Sequence, residues 1–403
     1  MGDTISKRAA VLRPSATFAM AARAAALRGQ GRHVFDFSAG EPDFAPPVAV
    51  REAVAKLVRE RPIGYTPVAG MAALREVVAA HLSAYHGTSI SPSRVLVSCG
   101  AKHSIANLLQ ATIDPGDEVV IPVPAWVSYP DMVRLAEGVP VLAPTLPEHG
   151  WRLQPDVLAK LVGPRTRMLV LNSPGNPTGA GYRAEDLRAI GEVLAKHAPQ
   201  TRVMADDIYR RLTYGAFEHA SIVRTLGGTL EHLALVDGVS KTYAMTGFRI
   251  GFLVDSEAVV TAATRVQGQT TSGAATPSQH AALAALVDPS VEAEVVAMHE
   301  AFTRRRQSML TALSAIAGIR IVAPDGAFYM WLEASSFLGR TGVADDTALA
   351  NWLLDKHGVA SVPGSAFGSP GYLRLSYATD DASVAGGCTA IAEALTTLAA
   401  RGA

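Results

Sequence analysis

Five short apolar runs recur along the chain: Val95-Leu-Val-Ser98, Glu118-Val-Val-Ile121, Arg167-Met-Leu-Val-Leu171, Arg202-Val-Met-Ala205 and Leu233-Ala-Leu-Val236. Each ends in a polar or glycine-bearing loop, and helical patterns lie between them. Runs this short and this uniformly apolar suit strands covered on both faces, and strands alternating with helices suit a mostly parallel α/β sheet. In such a sheet ligands bind beyond the carboxyl ends of the strands, so the loops after these runs are where chemistry is expected. The last run leads into Asp237-Gly-Val-Ser-Lys-Thr-Tyr-Ala-Met-Thr-Gly-Phe-Arg-Ile-Gly251, which puts Ser240 and Lys241 at a strand end. A lysine there, beside a hydroxyl and eight positions before Arg249, suits an amine used covalently near a bound anion. For the Ser-Lys pair alone, a surface lysine in a polar turn is the competing reading.

Ser240, Lys241, Gly247, Arg249 and Gly251 spell Ser-Lys-x-x-x-x-x-Gly-x-Arg-x-Gly. This resembles the lysine signature of the class I/II pyridoxal-phosphate aminotransferases of fold type I, the aspartate aminotransferase-like enzymes. The resemblance implies a large α/β/α domain with a mostly parallel sheet and a smaller α+β domain. On that basis residues 1–46 are expected to form an N-terminal arm and part of the small domain, 47–290 the large cofactor-binding domain, and 291–403 the small C-terminal domain. A chain of 403 residues is long enough for two such cores.

Composition narrows the classes of partner. Lys+Arg and Asp+Glu balance at 36 each, whereas nucleic acid or an anionic membrane normally calls for a basic excess, so neither is expected as a partner. Seven lysines (Lys7, Lys56, Lys102, Lys160, Lys196, Lys241 and Lys356) are the only candidates for a covalent amine. Two cysteines, Cys99 and Cys388, make neither a disulfide framework nor a Cys-rich zinc site; no metal is expected, and a reducing, cytoplasmic setting is. No signal-peptide pattern opens the chain and no apolar run reads as long enough to cross a bilayer. Met1-Gly-Asp-Thr-Ile-Ser6 fits the loose myristoylation pattern, a motif short enough to arise by chance.

Taken in order, Thr17 is expected to cap an Ala-rich helix running to Gly29, and His33–Phe37 reads as a strand. Gly40 in Gly-Glu-Pro-Asp is a turn glycine, or, by the resemblance, part of the segment over the substrate. Val48–Glu60 and Met71–His86 carry helical periodicity around Gly64-Tyr-Thr-Pro-Val-Ala-Gly70. The resemblance implies that Tyr65 in that turn reaches the cofactor phosphate of a partner subunit, hence a homodimer with shared sites. Gly100-Ala101-Lys102 reads as a tight turn before a helix from Ser104, a geometry that aims free N–H groups at an anion. Trp126 is ordinary core by default; the resemblance stacks it on a pyridine ring. Asn172-Ser-Pro-Gly-Asn-Pro-Thr-Gly179 is an irregular loop in which Asn176 can offer an amide to a phenolate-type oxygen. Asp206 and Tyr209 follow the fourth run. A long helix is expected over 291–315, strands over Gly326–Leu332 and Tyr372–Ser376, and a helix over Thr347–His357. Arg374, flanked by apolar residues, needs an anionic partner if buried.

These residues match the parts that pyridoxal 5'-phosphate chemistry calls for. Lys241 supplies the amine and the proton shuttle, and Asp206 a carboxylate for the ring nitrogen. The resemblance implies that Tyr209 and Asn176 bond the phenolic oxygen and that Ser240, Arg249 and the Gly100–Lys102 backbone, with Tyr65 from a partner, hold the phosphate. Arg374 is expected to clamp the substrate carboxylate, which a planar guanidinium matches. Two departures from the family pattern are Asp207, where Glu is usual, and Phe248, where Trp is frequent. Lys102 in Gly-Ala-Lys resembles a branch that uses this lysine on the distal carboxylate of a dicarboxylic substrate; a solvated lysine at a helix start is the plainer reading. Other aspartate aminotransferases supply an arginine from the partner chain for that carboxylate; no counterpart is evident here, Gln267 and Gln269 lying in the corresponding region, and His103 reads as a helix residue. The leading expectation is ping-pong transamination between aspartate and 2-oxoglutarate. A prephenate or aromatic aminotransferase, differing around Arg13, Ser15, Thr17 and Lys102, is the alternative, followed by a lyase, synthase or oxidase on the same fold.

Overall fold

The structure is a computed structural model that describes residues 5–400 apart from Arg13 and Thr341. Arg13 and most of the Met1–Ser6 pattern therefore lie outside the described residues. The strands are β1 (Phe35–Asp36), β2 (Val95–Ser98), β3 (Glu118–Val123), β4 (Val139–Pro144), β5 (Thr166–Asn172), β6 (Arg202–Asp206), β7 (Leu233–Gly238) and β8 (Gly251–Val254), followed by β9 (Arg320–Ile321), β10 (Tyr329–Glu333), β11 (Val359–Ala360), β12 (Val362–Pro363) and β13 (Tyr372–Ser376). The central sheet has the order β2-β8-β7-β6-β5-β3-β4, and β8 alone runs antiparallel to its neighbours.

Side chains along these strands alternate between two cores. Val95 and Val97, Leu169 and Leu171, Val203 and Ala205, and Leu233 and Leu235 face one. Leu96, Met168, Val170, Met204, Ala234 and Val236 face the other. Helices cover both faces, which is why the runs carry no polar alternation. Each fully buried Val or Leu contributes about 1.5–3 kcal/mol, so this two-sided burial is what holds the sheet flat against its helices.

A third core joins Met20, Ala24, Val34 and Phe37 to residues from Met298 to Leu398 around the antiparallel sheet β12-β13-β10-β9. The Val291–Ser314 helix belongs to both regions. Val291 and Val295 pack in the central-sheet core, and Met298, Phe302, Met309 and Leu313 in the third. With 24 residues it spans about 36 Å.

Four expectations need correction. The N-terminal helix is Ala16–Gly29 with Ser15 at its cap, so Thr17 lies inside the first turn. The helix after β2 begins at Ala101, not Ser104, because Gly100 at φ 88° turns the chain at once. The strand expected from Gly326 starts at Tyr329, since Ala327 takes φ 61° and its N–H goes to Leu212 O. The Asp381–Ala400 helix, at hydropathy 1.2, is long and apolar enough by length and composition to cross a membrane. Its Val384, Cys388, Ile391, Leu395 and Leu398 stripe, however, is buried in the third core.

Candidate active site

A cavity of about 730 Å³ opens where the parallel strands end. Lys241 reaches it from β7, half-buried, and its Nζ donates to Gly40 O at 2.5 Å. Burial pushes this amine down to about 8; Glu41 opposes the shift, while Arg249 and Arg374 reinforce it. A lysine so placed has an accessible neutral form near neutral pH, as nucleophilic and proton-transfer lysines require.

Asp206 ends β6 and is 3% exposed. Tyr129 donates its hydroxyl to Oδ2 at 2.6 Å and the Ile208 N–H reaches Oδ1 at 3.3 Å. Burial pushes the carboxyl up to about 7 against the pull of both hydrogen bonds. Among the described residues no cation lies within ion-pair distance of it. A cationic N–H presented from the cavity would meet an acid suited to it.

Arg374 projects from the middle of β13, directly opposite Trp331 of β10, and is 1% exposed. Nη2 donates to Ser38 O at 2.7 Å and Nη1 to Asn176 Oδ1 at 3.2 Å, but Nε has no partner. Its Cζ lies 4.5 Å from the ring centroid of Tyr329, whose hydroxyl bonds that of Tyr209 at 2.9 Å. Two neutral acceptors do not compensate a buried guanidinium, so the arrangement calls for an anion. The Arg374 contact also engages Asn176 Oδ1, which leaves Nδ2 as the donor of that amide.

Close backbone approach shapes the edge of the cavity at Gly100 and Gly251. A Cβ on Gly100 would lie 2.6 Å from Arg249 Nη2, and one on Gly251 would lie 2.1 Å from Ala101 N. Because β8 is antiparallel, its start lies at the same edge as the ends of its neighbours. That reversal brings Arg249 beside the first turn of the Ala101–Thr112 helix, where the His103 and Ser104 N–H groups donate to Gly100 O and those of Ala101 and Lys102 precede the first helical acceptor. Ser240 is buried at the same edge. Lys102 Nζ lies 4.9 Å over the Trp126 ring, and Trp126 meets Tyr129 edge-on at 5.2 Å.

Gly40, Ala101, Lys102, Trp126, Asn176 and Asp206 all line the cavity, as do Tyr209, Ser240, Lys241, Arg249 and Arg374. Gly100 stands behind it against Arg249. Tyr65 is fully exposed and outside it. Gln267 is buried and bonds Asn107 and the carbonyls of Val68 and Val97, whereas Gln269 is exposed. His103 Nδ1 accepts from Cys99 N at 3.3 Å and does not line the cavity. Asp207 turns away from the cavity to His219, at 3.2 Å; burial opposes ionisation there, yet the imidazole holds its carboxyl below the usual range.

Sequence reasoning missed Tyr129, Tyr329, Arg28 and Asp36, all of which line the cavity. Tyr129 stands three positions after Trp126, in the first turn of the Ser128–Leu135 helix, a spacing that puts both at the same strand end. Tyr329 is 120 residues from Tyr209 and gives no local signal.

A seven-stranded sheet with one reversed strand, carrying Lys241, Asp206 and Arg249 to one edge, defines a fold-type I transferase. The chain belongs to the family of class I and II aminotransferases, whose model matches residues 32–391. The aspartate/prephenate aminotransferase of Nitrosomonas europaea is 40% identical to it, covering 93% of this chain and 95% of its own length. The aspartate aminotransferase of Bacillus subtilis is 39% identical, covering 93% and 94%. The structure of the Thermus thermophilus aspartate aminotransferase with maleate superposes with a TM-score of 0.91 at 39% identity, covering 97% of this chain and 99% of that one. The protein is a transaminase, an enzyme that moves an amino group between an L-amino acid and a 2-oxo acid.

Proposed function

We propose that the chain uses pyridoxal 5'-phosphate to transfer the amino group of L-aspartate to 2-oxoglutarate in two half-reactions. The observation that carries this reading is the convergence of Lys241, Asp206 and Arg374 on one cavity. The residues fit the cofactor on the chemistry they offer: an uncompensated buried acid for a ring N–H, a glycine-backed N–H cradle with Arg249 for a phosphate, and an arginine whose Nε lacks a partner for a substrate carboxylate. When bound, the cofactor supplies an aldehyde for the amine and a protonated pyridine that takes up electrons.

Lys241 would hold the cofactor through its amine and would move a proton at the substrate α-carbon. Asp206 keeps the ring nitrogen protonated, oriented by Tyr129. Asn176 Nδ2 and the Tyr209 hydroxyl serve the phenolic oxygen. Ser240, Arg249 and the Gly100–Lys102 backbone take the phosphate. Arg374 clamps the α-carboxylate beside Gly40 and Trp126, and Lys102 takes the distal one. The exposure of Tyr65 and of nearby Ile63 supports a homodimer in which Tyr65 reaches the partner's phosphate site. The packing of Met20, Ala24 and Phe37 with Met298–Leu398 supports the division into 1–46 with 291–403 and 47–290. Free Cys99 and Cys388 suit the cytoplasm.

A second substrate class, prephenate or an aromatic amino acid, is favoured by the N-terminal helix, which contributes Phe18 and Ala21 as well as Thr17 to the cavity wall. Borohydride reduction followed by mass spectrometry tests the core of the proposal. Wild type should retain one cofactor mass on the peptide containing Lys241, and Lys241→Ala should retain none; labelled Lys241→Ala would contradict the assignment.

A further inference from the structure

Two carbonyls of one loop accept from the cavity's two key cations: Ser38 O from Arg374 and Gly40 O from Lys241. The backbone ladder fixes this segment only as far as Phe37. Phe35 N donates to Gly358 O, Phe37 N to Ala360 O, and Ser376 N to Phe37 O. Ser38 is the first residue beyond that ladder. What holds it is a side chain: Asp36 Oδ1 accepts from Ser38 N at 3.1 Å and from Ser38 Oγ at 2.6 Å. The other oxygen of Asp36 accepts from Arg28 Nη1 at 3.1 Å, and both residues line the cavity. An acid so close to a carboxylate clamp would repel its ligand, and the Arg28 guanidinium offsets that charge.

We propose that Asp36, neutralised by Arg28, is a positioning residue for Arg374: it fixes the Ser38 turn, and the Ser38 carbonyl fixes the guanidinium that receives the substrate carboxylate. The inference rests on the assignment of Arg374 as that clamp. A guanidinium held at Nη2 by the Ser38 carbonyl, at 2.7 Å, and more loosely at Nη1 by Asn176 Oδ1, at 3.2 Å, keeps its Nε and its remaining N–H groups in a preset fork, so binding a carboxylate requires no reordering of the side chain. Without Asp36 the Ser38 carbonyl is free to turn and the fork loses its setting.

Calorimetric titration of the holoenzyme with maleate, a dicarboxylate that does not react, reads carboxylate binding directly; steady-state kinetics stand beside it. Asp36→Ala is expected to raise the maleate Kd and the aspartate KM about tenfold, with a smaller change in kcat. Asp36→Asn keeps an acceptor for Ser38 and is expected to restore both constants. A wild-type Kd in Asp36→Ala, or a Kd as weak in Asp36→Asn as in Asp36→Ala, overturns the inference. If Asp36→Ala does not fold, Ser38→Ala loses only the Oγ bond and should raise the Kd about threefold; an unchanged Kd there is the contrary result. Arg374→Ala separates the two assignments. If it abolishes maleate binding while Asp36→Ala leaves binding intact, only the positioning role fails; if Arg374→Ala binds maleate like wild type, the clamp falls as well.

Discussion

Asp206 shows how a site residue works against the fold that carries it. Burial pushes its folded carboxyl up to about 7, from an ordinary 3.8. A raised carboxyl favours the folded state below the ordinary value, and that contribution is lost as pH rises through the folded one. In the cofactor-free protein, Asp206→Asn should therefore raise Tm relative to wild type at about pH 8, and the gain should shrink as pH falls toward about 4. The Tyr129 hydroxyl can turn to accept from the new amide, so no donor is stranded. Thermal melts at the two pH values check this, and an equal Tm at the higher one would contradict it. The same substitution should abolish transamination, since a neutral amide cannot hold a ring nitrogen protonated. Lys241, Asp206 and Arg374 were legible in the sequence because each sits at or near an apolar run with a charge that a buried strand does not otherwise tolerate. Tyr329, Arg28 and Asp36 were not, because tertiary register and not local pattern brings them to the cavity.

At the scale of elements, strand positions were readable because burial on both faces leaves runs with no polar residue to blur them. The observed β2 and β13 coincide with the runs Val95–Ser98 and Tyr372–Ser376. What pattern could not supply was the reversal of β8, which has the same apolar composition in either direction. Gly251 carries the trace of that reversal. Its Cα approaches the turn at Gly100 so closely that a Cβ would lie 2.4 Å from Gly100 C. Gly251→Ala should push β8 away from the Ala101–Thr112 helix, displace Arg249, and destabilise the fold by about 1–3 kcal/mol. Cofactor should also dissociate more readily, about tenfold, because the cradle is made by that approach. Fluorescence titration with the cofactor and denaturant melts measure both effects. Wild-type affinity with a wild-type midpoint would show that the contact is not needed.

The whole molecule joins its cores through one continuous helix, Val291–Ser314, and closes its cavity with side chains from all three regions: Lys241 and Asp206 from the central sheet, Arg374 and Tyr329 from the antiparallel one, and Thr17 and Arg28 from the N-terminal helix. A single loop, Ser38 to Gly40, touches both sheets' cations there: Ser38 O accepts from Arg374 and Gly40 O from Lys241. If Tyr65 serves a second subunit, sedimentation should give a species of twice 42.2 kDa, and a single-chain mass would remove that role. Transfer in two half-reactions has a fixed stoichiometry, which a single half-reaction reads. Purified holoenzyme mixed with L-aspartate and no 2-oxo acid should release one oxaloacetate per chain and then stop, with turnover resuming when 2-oxoglutarate is added. Release of no oxaloacetate by enzyme that carries a full complement of cofactor would contradict aspartate as the donor.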